Sequence, residues 1–164
     1  MTLHELQGQT ILLDSNLAVL LCVGLAGREH IPRHKRLAAF DELDFDLLLS
    51  VVSSFSAIAV IPNIATETSN LLRQVKPPLR DEVSKALAGL IEGAEEQVVM
   101  SKQAVIHDSY VKLGLTDAAI LQLIESETNF NLMTVDFDLY LAAAVRELKV
   151  INFNHLKEQR PDLD

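Results

Sequence analysis

Short apolar runs alternate along the chain with longer stretches in which apolar side chains recur every three or four residues. Runs of the first kind are typical of buried strands, and stretches of the second kind are typical of amphipathic helices. The runs predict five strands, at residues 10–13, 57–61, 97–100, 131–135 and 149–153. The spacing predicts helices at residues 15–25, 41–54, 63–74, 79–93, 102–112, 117–125 and 136–148.

Strands that alternate with helices predict an α/β fold. Parallel strands need a crossover between them, and right-handed crossovers place helices on both faces of the sheet. We therefore expect three layers, α/β/α, around a central parallel five-stranded sheet. In such sheets, binding and catalytic sites lie at the carboxyl ends of the strands.

The 164 residues are enough for one domain, residues 1–164, with a polar C-terminal tail from about residue 155. Asn63 and Thr116 are candidate caps for the helices that follow them. The most basic segment, Arg28 to Arg36, is predicted to be a loop or a broken helix, because Pro32 interrupts it.

Composition and charge exclude several classes of protein. With 49% apolar and 23% charged residues, the chain is not of the disordered type. The longest apolar run, residues 11–27, contains Asp14 and Asn16 and is too short for a membrane span. The single cysteine, Cys22, cannot form an internal disulfide and favours a small core side chain in a cytoplasmic protein. The net charge of −9 argues against a protein that coats duplex nucleic acid, but a nuclease can use acids to bind metal.

Five acidic side chains stand out because they follow strands or interrupt apolar surroundings. Asp14 and Asp136 come directly after the first and fourth predicted strands, and Glu67 is the only acid between Asp46 and Asp81. The set is Asp14, Glu67, Asp117, Asp136 and Asp138. Carboxylates gathered at one sheet edge repel one another, and a shared divalent cation would remove that cost.

A simpler interpretation stands beside the metal site. Aspartate is a favoured helix cap, so each of Asp14, Asp117 and Asp136 taken singly fits a cap better than a ligand. Glu67 lies beyond the usual capping position. The three aspartates and Glu67 taken together therefore favour a metal site. Asp138 fits a solvated helix face as well as it fits a contact near the metal.

Four segments, taken in order, resemble the acidic motifs of PIN-domain nucleases. They are Ile-Leu-Leu-Asp14-Ser15-Asn16, Thr66-Glu67-Thr68-Ser69-Asn70, Gly114-Leu115-Thr116-Asp117-Ala118-Ala119 and Thr134-Val135-Asp136-Phe137-Asp138. The resemblance implies the strand order 3-2-1-4-5, one or two Mg²⁺ or Mn²⁺ ions, and metal-dependent cleavage of RNA. Many such proteins are toxins, so an antitoxin protein is an implied partner, and the apolar face of the 79–93 helix leaves a homodimer open.

The resemblance assigns the catalytic and metal-binding roles to Asp14, Glu67, Asp117 and Asp136, with Asp138 beside them. Asp14 and Asp136 would hold the central ion, and Glu67 and Asp117 would complete its shell directly or through water. The remaining candidates are substrate contacts, namely Ser15, Asn16 and Thr134 near the acids and Arg28, Arg33, Lys35 and Arg36 as a phosphate grip. A solvated loop explains the basic residues equally well. The alternative function is a catalytically silent PIN-like scaffold that binds RNA or protein.

Overall fold

The computed structural model describes residues 6–163, so residues 1–5 and residue 164 of the predicted domain lie outside it. Its centre is a five-stranded, all-parallel sheet in the order β3-β2-β1-β4-β5. The predicted fold class and strand order are confirmed. The strands are β1 Thr10–Leu13, β2 Ala57–Val60, β3 Glu95–Glu96, β4 Phe130–Thr134 and β5 Val150–Asn152.

Helices cover both faces of the sheet. They are α1 Ser15–Ala26, α2 Glu42–Val52, α3 Pro62–Leu72, α4 Leu79–Gly93, α5 Ser101–Ala104, α6 Tyr110–Leu113, α7 Leu115–Ser126, α8 Phe137–Ala144 and α9 Phe153–Lys157. Short 3₁₀ helices occupy Arg28–Arg33, Lys35–Leu37 and Pro161–Leu163. None of the helices described combines the length and the apolar character needed to cross a bilayer.

The core divides into two clusters because successive side chains of a strand point to opposite faces. Ile11 and Leu13 of β1 belong to the cluster that packs against α1, α2 and α4, whereas Leu12 belongs to the cluster that packs against α7 and α8. Cys22 lies in the first cluster, fully buried, and burial raises the pKa of its thiol to about 12. It is therefore the core side chain that the sequence predicts.

Helices α1 and α2 approach closely at a glycine. A Cβ atom on Gly24 would lie 2.1 Å from Cδ2 of the Phe45 ring, which is far inside van der Waals contact. The absence of a side chain at Gly24 lets Phe45 pack directly against the α1 backbone. This contact packs α2 against α1 within the first core cluster.

The predicted third strand is wrong in position. The structure has a two-residue strand, β3, at Glu95–Glu96, and residues 97–100 leave the sheet after Gln97 donates a backbone hydrogen bond to Val60. Val98 and Met100 are consequently 72% and 58% exposed. Two residues of the apolar run that predicted a buried strand are therefore exposed, whereas Val99 between them stays in the core.

Several helix ends also differ from the predictions. The helix predicted at 102–112 is two short helices, α5 and α6, because the chain turns at residues 105–109. Neither predicted cap is one: Ile61 precedes α3 with Pro62 in its first turn, and α7 begins at Leu115, directly after Gly114. The helix predicted to end at Leu148 ends at Ala144.

The predicted polar tail is largely structured. Helix α9 covers residues 153–157, and Arg160 is buried. The Arg160 guanidinium donates hydrogen bonds to Asp41 at 2.7 Å, to Asp44 at 2.6 Å and to Asp162 at 2.6 Å. Asp41 and Asp44 form the capping box at the start of α2, so Arg160 fixes the C-terminal segment to that helix.

Candidate active site

Asp14 stands at the carboxyl end of the central strand β1. Its Oδ1 accepts a hydrogen bond from the Leu17 backbone at 2.8 Å, which caps α1. Its Oδ2 accepts from the Thr134 hydroxyl at 2.5 Å and from the Val135 backbone at 2.8 Å. Burial raises the pKa of Asp14, and these three hydrogen bonds oppose the rise. Hydrogen bonds to both oxygens thus fix the orientation of the Asp14 carboxylate.

Asp136 stands at the end of the neighbouring strand, β4. Its Oδ1 accepts from the Leu139 backbone at 3.0 Å and so caps α8. The Asp136 backbone N–H donates to the Thr134 hydroxyl oxygen at 2.9 Å. Thr134, fully buried, therefore connects Asp14 and Asp136 through a single oxygen atom. Parallel pairing of β1 with β4 places these three residues at the same sheet edge.

Glu67 reaches the same edge from the second turn of α3, which follows β2. Its Oε2 accepts a hydrogen bond from the Ser15 hydroxyl at 2.7 Å. Ser15 is the first residue of α1. The pair thus connects the helices that follow β1 and β2.

Asp117 lies in the first turn of α7 and is partly buried. The pKa of Asp117 is raised to about 7, mainly by burial and then by the negative charges of Asp136, Glu67 and Asp14. Among the described residues, no group donates a hydrogen bond to its carboxylate. Asp117 therefore has an unfavourable environment in its charged form.

The four carboxylates line one cavity of about 390 Å³, which we call the carboxylate cavity. The remaining wall is formed by Ser15, Asn16, Leu113, Gly114, Leu115, Thr116 and Leu139. The wall segment at Gly114 turns sharply between α6 and α7, with a positive φ of 90° that favours glycine. Four side chains that are far apart in the sequence are thus brought together where the sheet topology predicts a site.

The donors fit a hard divalent cation in chemical type and in charge. Carboxylate oxygens are the ligands that Mg²⁺ and Mn²⁺ prefer, and a cation would relieve the repulsion that acts on Asp117. Their spacing does not yet form a ligand shell, because within residues 6–163 no three acidic, histidine or cysteine side chains are grouped closely enough to hold one ion. Asp14 and Asp136 are engaged as caps, and Glu67 is engaged by Ser15.

The other predicted site residues divide into two groups. Ser15 and Asn16 line the carboxylate cavity, whereas Asp138 faces a neighbouring cavity. Thr134 does not line the carboxylate cavity, because it is fully buried and its hydroxyl donates to Asp14. The four basic residues Arg28, Arg33, Lys35 and Arg36 line neither of these two cavities.

The basic segment begins beyond the far end of α1, whose 12 residues span about 18 Å. Arg28 donates to Asp46 at 2.6 Å, and Arg36 donates to Gln74 at 2.9 Å beyond the end of α3. Both side chains therefore already have partners away from the carboxylates.

Sequence reasoning missed two cations near the site, Lys112 and Arg146, which line the cavity that Asp138 also faces. Lys112 stands two residues before the acidic motif that begins at Gly114, and this proximity is a sequence signal that points to it. Nothing in the local sequence around Arg146 predicts that it approaches the site.

No protein-family model and no curated protein matches this chain. The resemblance of the four acidic segments to PIN-domain nucleases therefore stays a prediction. The function must be inferred from the fold, the carboxylate cavity and the chemistry of the residues around it.

Proposed function

We propose that the protein is a divalent-metal-dependent endoribonuclease that hydrolyses RNA phosphodiester bonds in the carboxylate cavity. Asp14, Glu67, Asp117 and Asp136 would hold Mg²⁺ or Mn²⁺. The observation that carries the proposal is the convergence of these four acids on one cavity. Burial and the charges of the other three acids raise the pKa of Asp117 to about 7, so its charged form is unfavourable there. Groups kept in unfavourable environments are concentrated at functional sites.

Helix capping does not account for all four acids. Asp14 and Asp136 cap α1 and α8, but Gly114 occupies the capping position of α7, and Asp117 lies inside that helix. Glu67 is in the second turn of α3 and does not cap it. Two acids thus add repulsion to the cavity without serving as a helix cap, and a bound cation gives them a role.

The chain's own side chains would prepare the site for hydrolysis. A bound divalent ion supplies a water nucleophile at neutral pH and stabilises charge on the phosphate oxygens. Thr134 and the Val135 backbone N–H hold the orientation of Asp14, and Ser15 holds that of Glu67. The exposed side chains of Glu67, Asp136 and Asn16 make the cavity accessible from solvent. The choice of RNA as substrate rests on the resemblance of the acidic motifs.

A catalytically silent scaffold is the second candidate. It is favoured by the capping hydrogen bonds of Asp14 and Asp136 and by the absence, among residues 6–163, of three donors grouped around one point. In that case the acids stabilise helix starts, and the cavity binds no metal.

Metal-dependent thermal stability separates the two candidates. After chelation, Mg²⁺ and Mn²⁺ should raise the unfolding midpoint of the wild type, because a ligand stabilises the state that binds it. Asp117→Asn should lose this rise and should also lose cleavage of a single-stranded RNA. The exposed acid Glu92 on α4 provides the matched control, and Glu92→Gln should retain both properties. Metal-independent melting of the wild type, with no RNA cleavage, would favour the scaffold.

A toxin role, which the acidic motifs imply by resemblance, extends the proposal. Induced expression of the wild type in bacteria should then arrest growth, whereas the same level of Asp117→Asn should not. Equal growth of both cultures would contradict the toxin role and leave the nuclease proposal unaffected.

A further inference from the structure

The carboxylate cavity lies between two further cavities with which it shares wall residues. On one side, Leu113 also lines a cavity of about 390 Å³ that includes Lys112 and Arg146. On the other side, Glu67 and Thr116 also line a cavity of about 510 Å³ that includes Val98 and Met100. We call the first the polar arm after its two cations, although Asp108, Asp138 and apolar side chains also line it, and the second the apolar arm after Val98 and Met100, although polar side chains also line it. The three cavities are contiguous, with the acids in the one that shares wall residues with both others, and we call them together the trough.

The two cations of the polar arm differ in whether they can bind an incoming anion. Arg146 donates to Asp108 at 2.6 Å, to the Ser109 hydroxyl at 3.0 Å and to the Ala142 carbonyl at 2.7 Å. It also lies 3.3 Å from Glu125. Its guanidinium is therefore used to fix the turn before α6.

Lys112 is exposed on α6, and within residues 6–163 it makes no ion pair. It is adjacent in the chain to Leu113, the residue shared by the polar arm and the carboxylate cavity. Its ammonium group is thus available to an anion that enters the trough.

An anionic strand needs such a cation because the chain is strongly acidic. The net charge is −9, and the four carboxylates would repel a phosphate that approaches without compensation. The exposed basic residues of the 28–36 segment line none of the three cavities. Lys112 is therefore the better placed cation for phosphate bound next to the acids.

The apolar arm offers a different kind of contact. Val98 and Met100 are exposed because residues 97–100 leave the sheet after β3. Exposed apolar side chains in the wall of a cavity can contact an apolar face of a ligand, and the flexible methionine side chain adapts to the shape of what it contacts. An unpaired base can pack on these two side chains, whereas a phosphate meets no cation among the residues that line this arm.

We propose that a single RNA strand lies along the trough, with a backbone phosphate next to the scissile one bound by Lys112 and an unpaired base packed on Val98 and Met100. This inference deepens the proposed nuclease function and rests on it. It predicts one ionic contact in the polar arm and a non-ionic contact in the apolar arm. The two contacts can be measured separately.

The test is binding of a short, fluorescently labelled single-stranded RNA to Asp117→Asn protein in Mg²⁺, so that binding is measured without cleavage. Adding Lys112→Ala should weaken binding about threefold to fivefold, as expected for one exposed ionic contact. It should also lower the slope of log Kd against log salt by about 0.7, the value for one phosphate on a single strand. Adding Met100→Ala should weaken binding and leave that slope unchanged.

Two controls locate the effect. Lys85→Ala, an exposed lysine on α4, and the double variant Arg33→Ala/Lys35→Ala should bind RNA as tightly as the parent. In the cleavage-competent protein, Lys112→Ala should raise KM for RNA and retain the metal-dependent rise in the unfolding midpoint.

The outcomes distinguish this inference from the function on which it rests. Unchanged affinity and salt slope in Lys112→Ala, with the metal-dependent rise intact in the wild type, would overturn the inference alone. Weaker binding only in Arg33→Ala/Lys35→Ala would place the strand on the basic segment and would also overturn it. A wild type without a metal response or RNA cleavage would overturn both proposals together.

Discussion

Thr134 donates its hydroxyl hydrogen to Asp14 at 2.5 Å, from the end of β4 to the end of β1. The same hydroxyl oxygen accepts the Asp136 backbone N–H, so one buried side chain sets the relative position of two acids. Hydrogen bonds to a buried carboxylate are among the stronger ones in proteins. The geometry of the candidate site therefore depends on a residue that does not line its cavity.

Thr134→Val tests this dependence because valine keeps the shape of threonine and removes the hydroxyl. We expect a loss of about 2 kcal/mol in the free energy of unfolding, since the Asp14 carboxylate loses a donor in a buried place. Thr134→Ser is the matched control, which keeps the hydroxyl and loses only a methyl group, at a cost of about 1 kcal/mol. Urea unfolding gives both values. Equal losses would show that the hydroxyl contributes no more than the methyl.

Asp117 makes the free energy of unfolding decrease as the pH rises. Its pKa is about 7 in the folded protein and 3.8 as the ordinary value, so between these values the folded state binds the extra proton. The free energy of unfolding therefore decreases as pH rises through this window. In metal-free buffer at pH 8, Asp117→Asn should be more stable than the wild type by about 1 to 2 kcal/mol, allowing for solvent screening of a partly exposed group.

Near pH 4 the two proteins should be equally stable, because the Asp117 side chain is then neutral in the wild type as well. Thermal melting from pH 4 to pH 8 in chelator measures the difference. The exposed Asp81→Asn variant should show no such pH-dependent gain. A constant difference between wild type and Asp117→Asn at all pH values would contradict the raised pKa.

Two glycine substitutions should have opposite effects. Gly24→Ala would place a methyl group 2.1 Å from the Phe45 ring, and such overpacking costs about 1 to 3 kcal/mol. Gly89 lies within α4 with no atom within 4 Å of the added Cβ, so Gly89→Ala should gain about 0.5 to 1 kcal/mol from helix propensity. Unfolding midpoints measured in the same denaturant compare them directly. A stabilised Gly24→Ala protein would mean that α1 and α2 do not pack as described.

Arg160 should be important for the C-terminal segment. Arg160→Met would leave the Asp44 side chain, which is only 3% exposed, with Lys157 as its remaining cation at 3.1 Å. Removing one partner of a buried pair costs about 3 kcal/mol. The exposed Arg73→Met variant should be close to wild type in urea unfolding. If Arg160→Met changed the free energy of unfolding as little as Arg73→Met, the ion pairs of Arg160 would not hold the C-terminal segment in place.

The same cluster predicts a specific sensitivity to acid. The Arg160 guanidinium, through its hydrogen bond, lowers the pKa of Asp41 below 3.8. A carboxylate with a lowered pKa stabilises the fold above its ordinary pKa, and this contribution is lost as the pH falls below about 4. The stability difference between wild type and Arg160→Met should therefore shrink in that range, as followed by unfolding at successive pH values.

The sequence predicted the sheet and its central acids because both depend on local patterns. Apolar runs followed directly by Asp14 and Asp136 give a strand end and a helix start, and parallel topology brings such ends to one edge. The third strand was placed wrongly because an apolar run such as 97–100 has the same composition whether it is buried in a sheet or lines an open surface. Hydrophobicity alone does not distinguish the two.

Contacts between distant residues could not be predicted from one sequence. The bonds of Arg160 to Asp41 and Asp44 span 119 and 116 residues, so the segment around it has the composition of a solvated tail. The basic cluster at 28–36 is evident in the sequence, but its distance from the acids follows from the length of α1. Lys112 is one cation among many until the fold places it beside the carboxylate cavity.

The sequence separation of 120 between Asp14 and Thr134 also sets an order of events during synthesis. Asp14 is synthesised about 120 residues before its partner on β4 and the fourth acid, Asp136. The cavity cannot form in a chain that has not reached Asp136, however well the first two strands and their helices have folded. If the protein cuts RNA, a growing chain that ends before Asp136 therefore carries no complete set of acids with which to cut its own message.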